Sequence, residues 1–343
     1  MGLRVLCCNP NGGAFFYITK GWENAFRSLG HKFQRWKGDE EHLHKYRPHL
    51  YLGCSGWRQN LPQWARNKFG TKVGIHINPW GTTILRALPG EPNINESEDA
   101  KKWTISQNPD FAYCYGGSHD ITHIWNHWTD KAGIPVVPMP TGGDAVAHTV
   151  MNPHPSYLCD VGFIGGRWPY KSINLNKYLV PVLNNTNSII YGWGGWQGHK
   201  SYCGPIKNNK VNLLFSSAKV CPAVVEPHTA RYGIDIPERM FKIPLGGGFV
   251  VCDPVKNLNK HVPLETFPMA NNSKHYGELI SYYLKNSKDR LNLKQQQRLE
   301  ILKNHTYFSR IQGFLNVIER RDLSAKAQKR VELLVNEVVR GKD

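Results

Sequence analysis

An alternation constrains this chain more than any other feature. Short apolar runs recur, each separated from the next by an amphipathic or polar stretch. LRVLCC opens the series, and HKFQRW, HLYLGC, KVGIHI, FAYCY and IPVVPM continue it. Each reads as a strand. NPNGGAFF reads as a loop after the first of them, and YITKGWENAFRSLG as a helix closed by Gly30. Strands spaced by helical or loop segments predict a parallel sheet with crossovers. Such a sheet places its functional loops at the carboxyl ends of its strands.

The stretch TGGDAVAHTVMNPHPS, rich in glycine, proline and asparagine, reads as a linker, and a second series follows it. DVGFIGG is a strand running into a glycine loop, KSINLNKYLVPVL a helix, and SIIYGWG a further strand and loop. KVNLLFSSAKVCPAV fits either a helix or a strand. PERMFKIPL reads as a helix, FVVCDP as a strand, and HYGELISYYLKN as a helix with Tyr276, Leu279, Ile280 and Tyr283 at helical spacing. The last stretch looks helical throughout. The expected class is therefore α/β, with two Rossmann-like, doubly wound parallel-sheet domains facing a cleft. The expected division is residues 1–150, 151–312 and a C-terminal helix over 313–343 that packs back on the first domain.

With 343 residues, 40% of them hydrophobic and 20% charged, the chain has the composition of a soluble globular protein. No run approaches the roughly 18 apolar residues of a membrane span. The apolar patch of the N-terminus is too short for a signal peptide, which makes a cytoplasmic setting the expectation. Eight cysteines are scattered without a Cys-x-x-Cys pair. No Asp-x-Asp occurs, so neither a metal site nor a metal-dependent reaction is expected. The formal net charge is +17. Residues 1–150 hold 16 Lys/Arg against 12 Asp/Glu, and residues 151–343 hold 27 against 14. A diphosphate needs only a few cations, so the surplus points to a larger polyanion or to a merely solvated basic surface.

Three glycine-rich loops follow predicted strands: residues 9–13 with Gly12 and Gly13, residues 165–167, and residues 192–198. None is a Walker loop or a dinucleotide fingerprint. Each alone fits a simple turn. Together they suit a ligand held between two α/β units, because glycine lets backbone N–H groups reach phosphate or sugar oxygens. In DIPERMFKIPLGGGFVVCDP, Pro237 opens a short helix carrying Glu238, Arg239 and Lys242. Glu238 and Lys242 have the spacing of a surface ion pair, and Arg239 can fork onto a diphosphate.

That segment resembles the donor site of CgeB-like glycosyltransferases of the GT-B fold. DVGFIGGRW resembles the first strand and loop of their C-terminal domain, and IIYGWGGW a later strand loop; the likeness runs over residues 158–312. The resemblance implies that Gly246, Gly247 and Gly248 form a tight helix-to-strand turn beside a donor nucleotide. It implies that Arg239 binds the diphosphate and that Gly165, Gly166 and Arg167 line the phosphate or sugar, with Lys171 also able to meet the leaving group. Gly204 and Ile206 of YCGPIK are implied to contact the base. Lys242 stands where many such enzymes carry a ribose-binding carboxylate, and Glu238 is the substitute.

The layout is also similar to that of the DNA β-glucosyltransferases of T-even phages. Their catalytic carboxylate follows the fourth strand, and the matching position here is His76, with Asp120 and Asp144 as further candidate bases at strand ends. The resemblance implies a nucleotide-sugar donor such as UDP-glucose, a hydroxymethylated pyrimidine of double-stranded DNA as acceptor, and an infected host cell as the setting. A duplex partner also accounts for the charge. Basic clusters such as KFQRWK and AKAQKR, with Trp36, Trp57, Trp64 and Trp80 among them, suit such a backbone. Transfer to a surface glycan, lipid carrier or protein is the rival enzyme reading. A non-catalytic nucleic-acid-binding protein on a degenerate transferase fold is the reading from another class, and a nucleotide-sugar epimerase a remoter one.

Overall fold

The structure, a computed structural model, describes residues 2–10, 13–77, 98–117 and 132–341. Gly12, Trp80 and Asp120 lie outside the described residues. The chain divides into two compact units, residues 1–146 with 307–332, and residues 147–306 with 333–343.

The first unit contains β1 (Arg4–Cys7), β2 (Lys32–Arg35), β3 (Leu50–Cys54), β4 (Lys72–His76), β5 (Phe111–Cys114) and β6 (Val136–Pro138). They form one parallel sheet in the order β2-β1-β3-β4-β5-β6. β3 and β5 are buried at every residue, as interior strands of a sheet covered on both faces must be. The first helix, α1 (Gly13–Ser28), starts earlier than the loop expected over NPNGGAFF allows. Phe15, Ile18, Trp22 and Phe26 make a continuous helical stripe, all buried, and Phe15 belongs to it. Burying one more aromatic outweighs leaving that turn as loop. α2 (Glu40–Tyr46), α3 (Gln63–Phe69) and α4 (Glu98–Ser106) complete the crossovers.

The second unit is built on β7 (Cys159–Ile164), β8 (Ser188–Tyr191), β9 (Ala218–Ala223) and β10 (Val250–Cys252), parallel in the order β10-β9-β7-β8. α5 (Pro169–Asn174) continues through a π-helical turn (Leu175–Leu179) into α6 (Val180–Asn184). The stretch KVNLLFSSAKVCPAV is both things at once: α7 (Val211–Ser217) passes straight into β9. Two serines stop the helix there. Ser216 Oγ donates to the Gly246 carbonyl at 2.8 Å, and Ser217 Oγ accepts from the His154 N–H at 2.9 Å. α8 (Pro227–Tyr232), α9 (Arg239–Leu245), α10 (Ser273–Lys285) and α11 (Ser287–Asn304) follow. Phe163, Leu179, Trp196, Val220, Val251, Tyr276 and Ile280 share the core.

The three glycines after α9 close that helix. The N–H groups of Gly246, Gly247 and Gly248 donate to the carbonyls of Lys242, Pro244 and Ile243, taking up orphan acceptors of the last turn. Gly247 has φ +76°, and a Cβ there would stand 2.9 Å from Ser216 Oγ. At the far edge of the sheet, the amide of Gln297 from α11 accepts from the Val250 N–H at 2.8 Å and donates to its carbonyl at 2.9 Å.

The chain then returns to the first unit through α12 (Tyr307–Val317) and most of α13 (Arg321–Val339). α12 lies so close to α1 that a Cβ on Gly21 would stand 2.1 Å from the Tyr307 ring. Phe314 meets Trp22 and Tyr113 edge to face, with centroids 5.3 and 5.1 Å apart. Among the described residues, no helix is long and apolar enough to cross a membrane.

Candidate active site

In the second unit the strand order reverses between β7 and β9, and ligands of open α/β sheets bind outside the carboxyl ends of strands at such a point. Charged groups from several segments converge there. Lys171 of α5, only 2% exposed, pairs with Glu226 at 3.0 Å; Glu226 stands between β9 and α8. Asn174 fixes the same strand end, donating to the Val225 carbonyl at 3.0 Å. Asp253, just past β10 and fully buried, accepts the Val225 N–H at 3.3 Å on both carboxyl oxygens. Arg239, the first residue of α9, lays its guanidinium over the Phe163 ring at 5.0 Å. Its Nη2 lies where a Cβ on Gly165 would be 2.9 Å away, and its buried Nη1 has no hydrogen-bond partner.

The protonation states follow from burial and neighbours. Burial first, with the Glu226 charge beside it, raises the Asp253 pKa well above its ordinary value and so disfavours its charged form. Burial alone would also raise Glu226, but Lys171 and Arg239 bring it below its ordinary value. Burial, assisted by the Arg239 charge, lowers Lys171 to about 8. Burial likewise lowers Arg239 from its ordinary value, which leaves a guanidinium charged. Two cations thus face the Glu226 carboxylate. The surplus positive charge and the unpartnered Nη1 suit an anion.

The remaining expected residues fall into distinct settings. Arg167 is engaged with neighbouring segments: its guanidinium donates to the Gly195 carbonyl at 2.8 Å and to Asn176 Oδ1 at 2.7 Å, and it sits over Trp196. Glu238 and Lys242 lie 3.8 Å apart, the expected i, i+4 pair, and burial lowers the Lys242 pKa. The space beside Gly246 and Gly247 is filled by protein atoms of Phe215, Asn212, Ser216 and Val150. Gly204, at φ +86°, has open space beside it, and its carbonyl accepts the Gly192 N–H at 3.0 Å; Ile206 nearby is half-buried.

In the first unit, Gly13 begins α1 with φ +71° and open space beside it. His76 ends β4, 4% exposed, with Nδ1 3.7 Å from Cys54 Sγ and its ring packed among Phe15, Tyr113 and Tyr115. Its Nε2 is buried without a partner, and burial lowers its pKa to about 3. Asp144 is held as a brace: Asn24 donates to Oδ2 at 2.7 Å and the Val146 N–H to Oδ1 at 3.0 Å. Among the described residues, no three His, Cys, Asp or Glu side chains are grouped as a metal ion would require.

Glu226 and Asp253 are the members that sequence reasoning did not single out. Their signal was present: each is a carboxylate directly after an apolar strand run, in AVVEP and VVCDP.

A family model described as glycosyl transferase-like matches residues 165–316, which contain this cluster whole. No curated protein matches the chain by sequence. Among solved structures, the T4 phage β-glucosyltransferase complexed with its UDP-glucose substrate is similar, at 13% identity and a TM-score of 0.59, over 93% of this chain and 100% of that one. HepE of Anabaena, complexed with UDP and glucose, has 8% identity and a TM-score of 0.60, over 92% and 99% of the two chains. A putative UDP-N-acetylglucosamine 2-epimerase of Listeria monocytogenes has 9% identity and a TM-score of 0.52, over 94% and 98%. The chain therefore has the two-sheet GT-B fold of the glycosyltransferases, with C-terminal helices, and carries its glycosyl transferase-like segment over residues 165–316.

Proposed function

We propose that this protein is a nucleotide-sugar-dependent glycosyltransferase whose donor is a UDP-sugar and whose acceptor is a hydroxymethylated pyrimidine of double-stranded DNA. The observation that carries the reading is the surplus cation: Arg239 Nη1, buried and unpartnered at the switch point, beside Lys171 and Glu226. A nucleoside diphosphate leaving group gathers negative charge as the sugar bond breaks, and preorganised donors in a dry site stabilise that charge most. An epimerase shares the fold, but the resemblance of residues 158–312 to a transferase donor site favours transfer.

In the proposed step the acceptor oxygen bonds to the anomeric carbon as the carbon–oxygen bond to the diphosphate breaks. The hydroxyl proton goes to a side-chain base, for which His76, Asp120 and Asp144 are the candidates. His76 is nearly enclosed and its conjugate acid is too strong to hold a proton at pH 7, and Asp144 is engaged with Asn24 and Val146. Asp120, which lies outside the described residues, is the candidate that remains of the three. The chain has no Asp-x-Asp, and the cations at the switch point meet the leaving group, so transfer is proposed to run without a metal ion. The net charge of +17 supports a nucleic-acid acceptor, since neutralising phosphates supplies most of the affinity for a duplex. A cytoplasmic setting in a phage-infected cell fits that acceptor.

The test is transfer of radiolabel from UDP-glucose and other nucleotide-sugars to duplex DNA with and without hydroxymethylated pyrimidines, in buffer with EDTA and with added Mn2+. Label entering only hydroxymethylated DNA supports the whole reading. Donor hydrolysis without DNA label moves the acceptor to a glycan, lipid or protein. No consumption of any donor overturns the transferase.

A further inference from the structure

The loop after β8 carries a tryptophan that the fold holds in place and leaves uncovered. Trp193 is 62% exposed, while Trp196, three residues on, is fully buried. The loop between them is tightly held. The Arg167 N–H donates to the Trp193 carbonyl at 3.1 Å, Trp196 Nε1 to the Gly165 carbonyl at 2.8 Å, and Tyr202 Oη to the Gly192 carbonyl at 3.0 Å. Gly194 and Gly195 both have positive φ, and a Cβ on Gly195 would stand 2.6 Å from the Arg167 carbonyl oxygen. Such a loop has little freedom to fold its indole away.

The indole itself is oriented from beneath. Trp168 stacks with it at 5.5 Å and an interplanar angle of 12°, and Gly166 lies so close that a Cβ there would stand 2.8 Å from the ring. On Trp168 rests the ammonium of Lys171, 4.9 Å from the ring centre. A column therefore runs from the Lys171–Glu226 pair through Trp168 to Trp193. Most of the outer ring stays open even so. An exposed tryptophan forgoes a large burial gain, which suits a side chain reserved for a ligand.

Its place indicates which ligand. Trp193 abuts Gly166, and the Arg239 guanidinium abuts Gly165, the preceding residue. With adjacent Cα atoms about 3.8 Å apart, guanidinium and indole are separated by on the order of 10 Å, the scale of a nucleoside diphosphate from phosphate to base. The Trp193 loop is also tied to Gly204 through the Gly192 N–H, and open space lies beside Gly204.

We propose that Trp193 is a donor-binding residue whose indole stacks on the planar base of the nucleoside diphosphate, with Trp168 as the positioning residue behind it. This rests on the donor site proposed above. Stacking is tolerant of base identity because every base has a π-face, so Trp193 supplies affinity without selecting among bases.

The experiment is calorimetric titration of the full chain with UDP, ADP and, as a probe lacking the base, inorganic pyrophosphate. Trp193→Ala is expected to weaken UDP and ADP alike by about five- to a hundredfold, and to leave pyrophosphate unchanged. Trp193→Phe is expected to restore most of the loss. Equal weakening of UDP and pyrophosphate would mean that Trp193 only shapes the loop and would overturn the stacking role, as would unchanged UDP affinity. Failure of the wild-type chain to bind any of the three overturns the donor-site reading itself, and this proposal with it. The large exposure of Trp193 makes misfolding of the variants avoidable, and coincident thermal melting curves verify it.

Discussion

Lys171 and Glu226 form an ion pair at 3.0 Å in which the lysine is almost fully buried. A buried pair adds little over an apolar replacement, because desolvation offsets attraction, but removing one partner strands the other. Lys171→Met is therefore expected to destabilise the chain by about 3–5 kcal/mol, and Lys171→Met with Glu226→Leu to recover only part of that, because Arg239 loses the same carboxylate. Urea denaturation of the single and double variants measures the difference. Equal loss in both would mean that packing and not charge sets the cost.

Arg239→Ala is expected to lower UDP affinity at least tenfold, since Nη1 of the guanidinium is spent on no protein hydrogen bond. Arg239→Lys should rescue only part, because a point charge does not reproduce the fork. Calorimetry decides it: wild-type affinity in Arg239→Ala would place the diphosphate elsewhere.

Stability should fall on acidification through the histidines. Burial lowers His76 to about 3, and burial first among several causes lowers His31, His148 and His228 to about 4. Each is neutral when folded and binds a proton near pH 6.5 when unfolded. Its contribution is fully present above that pH and is lost as pH falls towards 4 or 3, at up to about 1.4 kcal/mol per pH unit for each group. Urea midpoints at pH 8, 6.5 and 5 should fall slightly across the first interval and steeply across the second. A drop confined to the first interval would point to other groups.

Gly21→Ala should destabilise the first unit by about 1–3 kcal/mol, because the new methyl has to displace the Tyr307 ring. Pairing it with Tyr307→Ala should restore tolerance of the methyl, so that Gly21→Ala costs little in that background. A thermodynamic cycle over the four chains checks this, and additivity would show that the two residues do not share the space.

The parallel sheets were readable because each strand is short, apolar and followed by a polar break, a pattern with few alternatives. The start of α1 was not, since glycines before Phe15 resemble a turn until Trp22 and Phe314 supply the packing that draws Phe15 in. Arg239 was legible from its place after Pro237 in a short helix. Glu226 and Asp253 were harder, because a lone strand-end carboxylate is common and only the topology brings these two together. The engagement of Arg167 with Gly195 depends on contacts between loops, which no local pattern encodes.

Gln297 has a bearing beyond the fold. Val250 and Cys252 direct their backbone groups outward from β10. Gln297 takes both groups of Val250, while the Pro268 carbonyl and the Ala270 N–H take those of Cys252. The margin of the sheet is thus chemically silent. A stray extended segment from another molecule finds no free rung to join there, which protects against runaway association at high protein concentration.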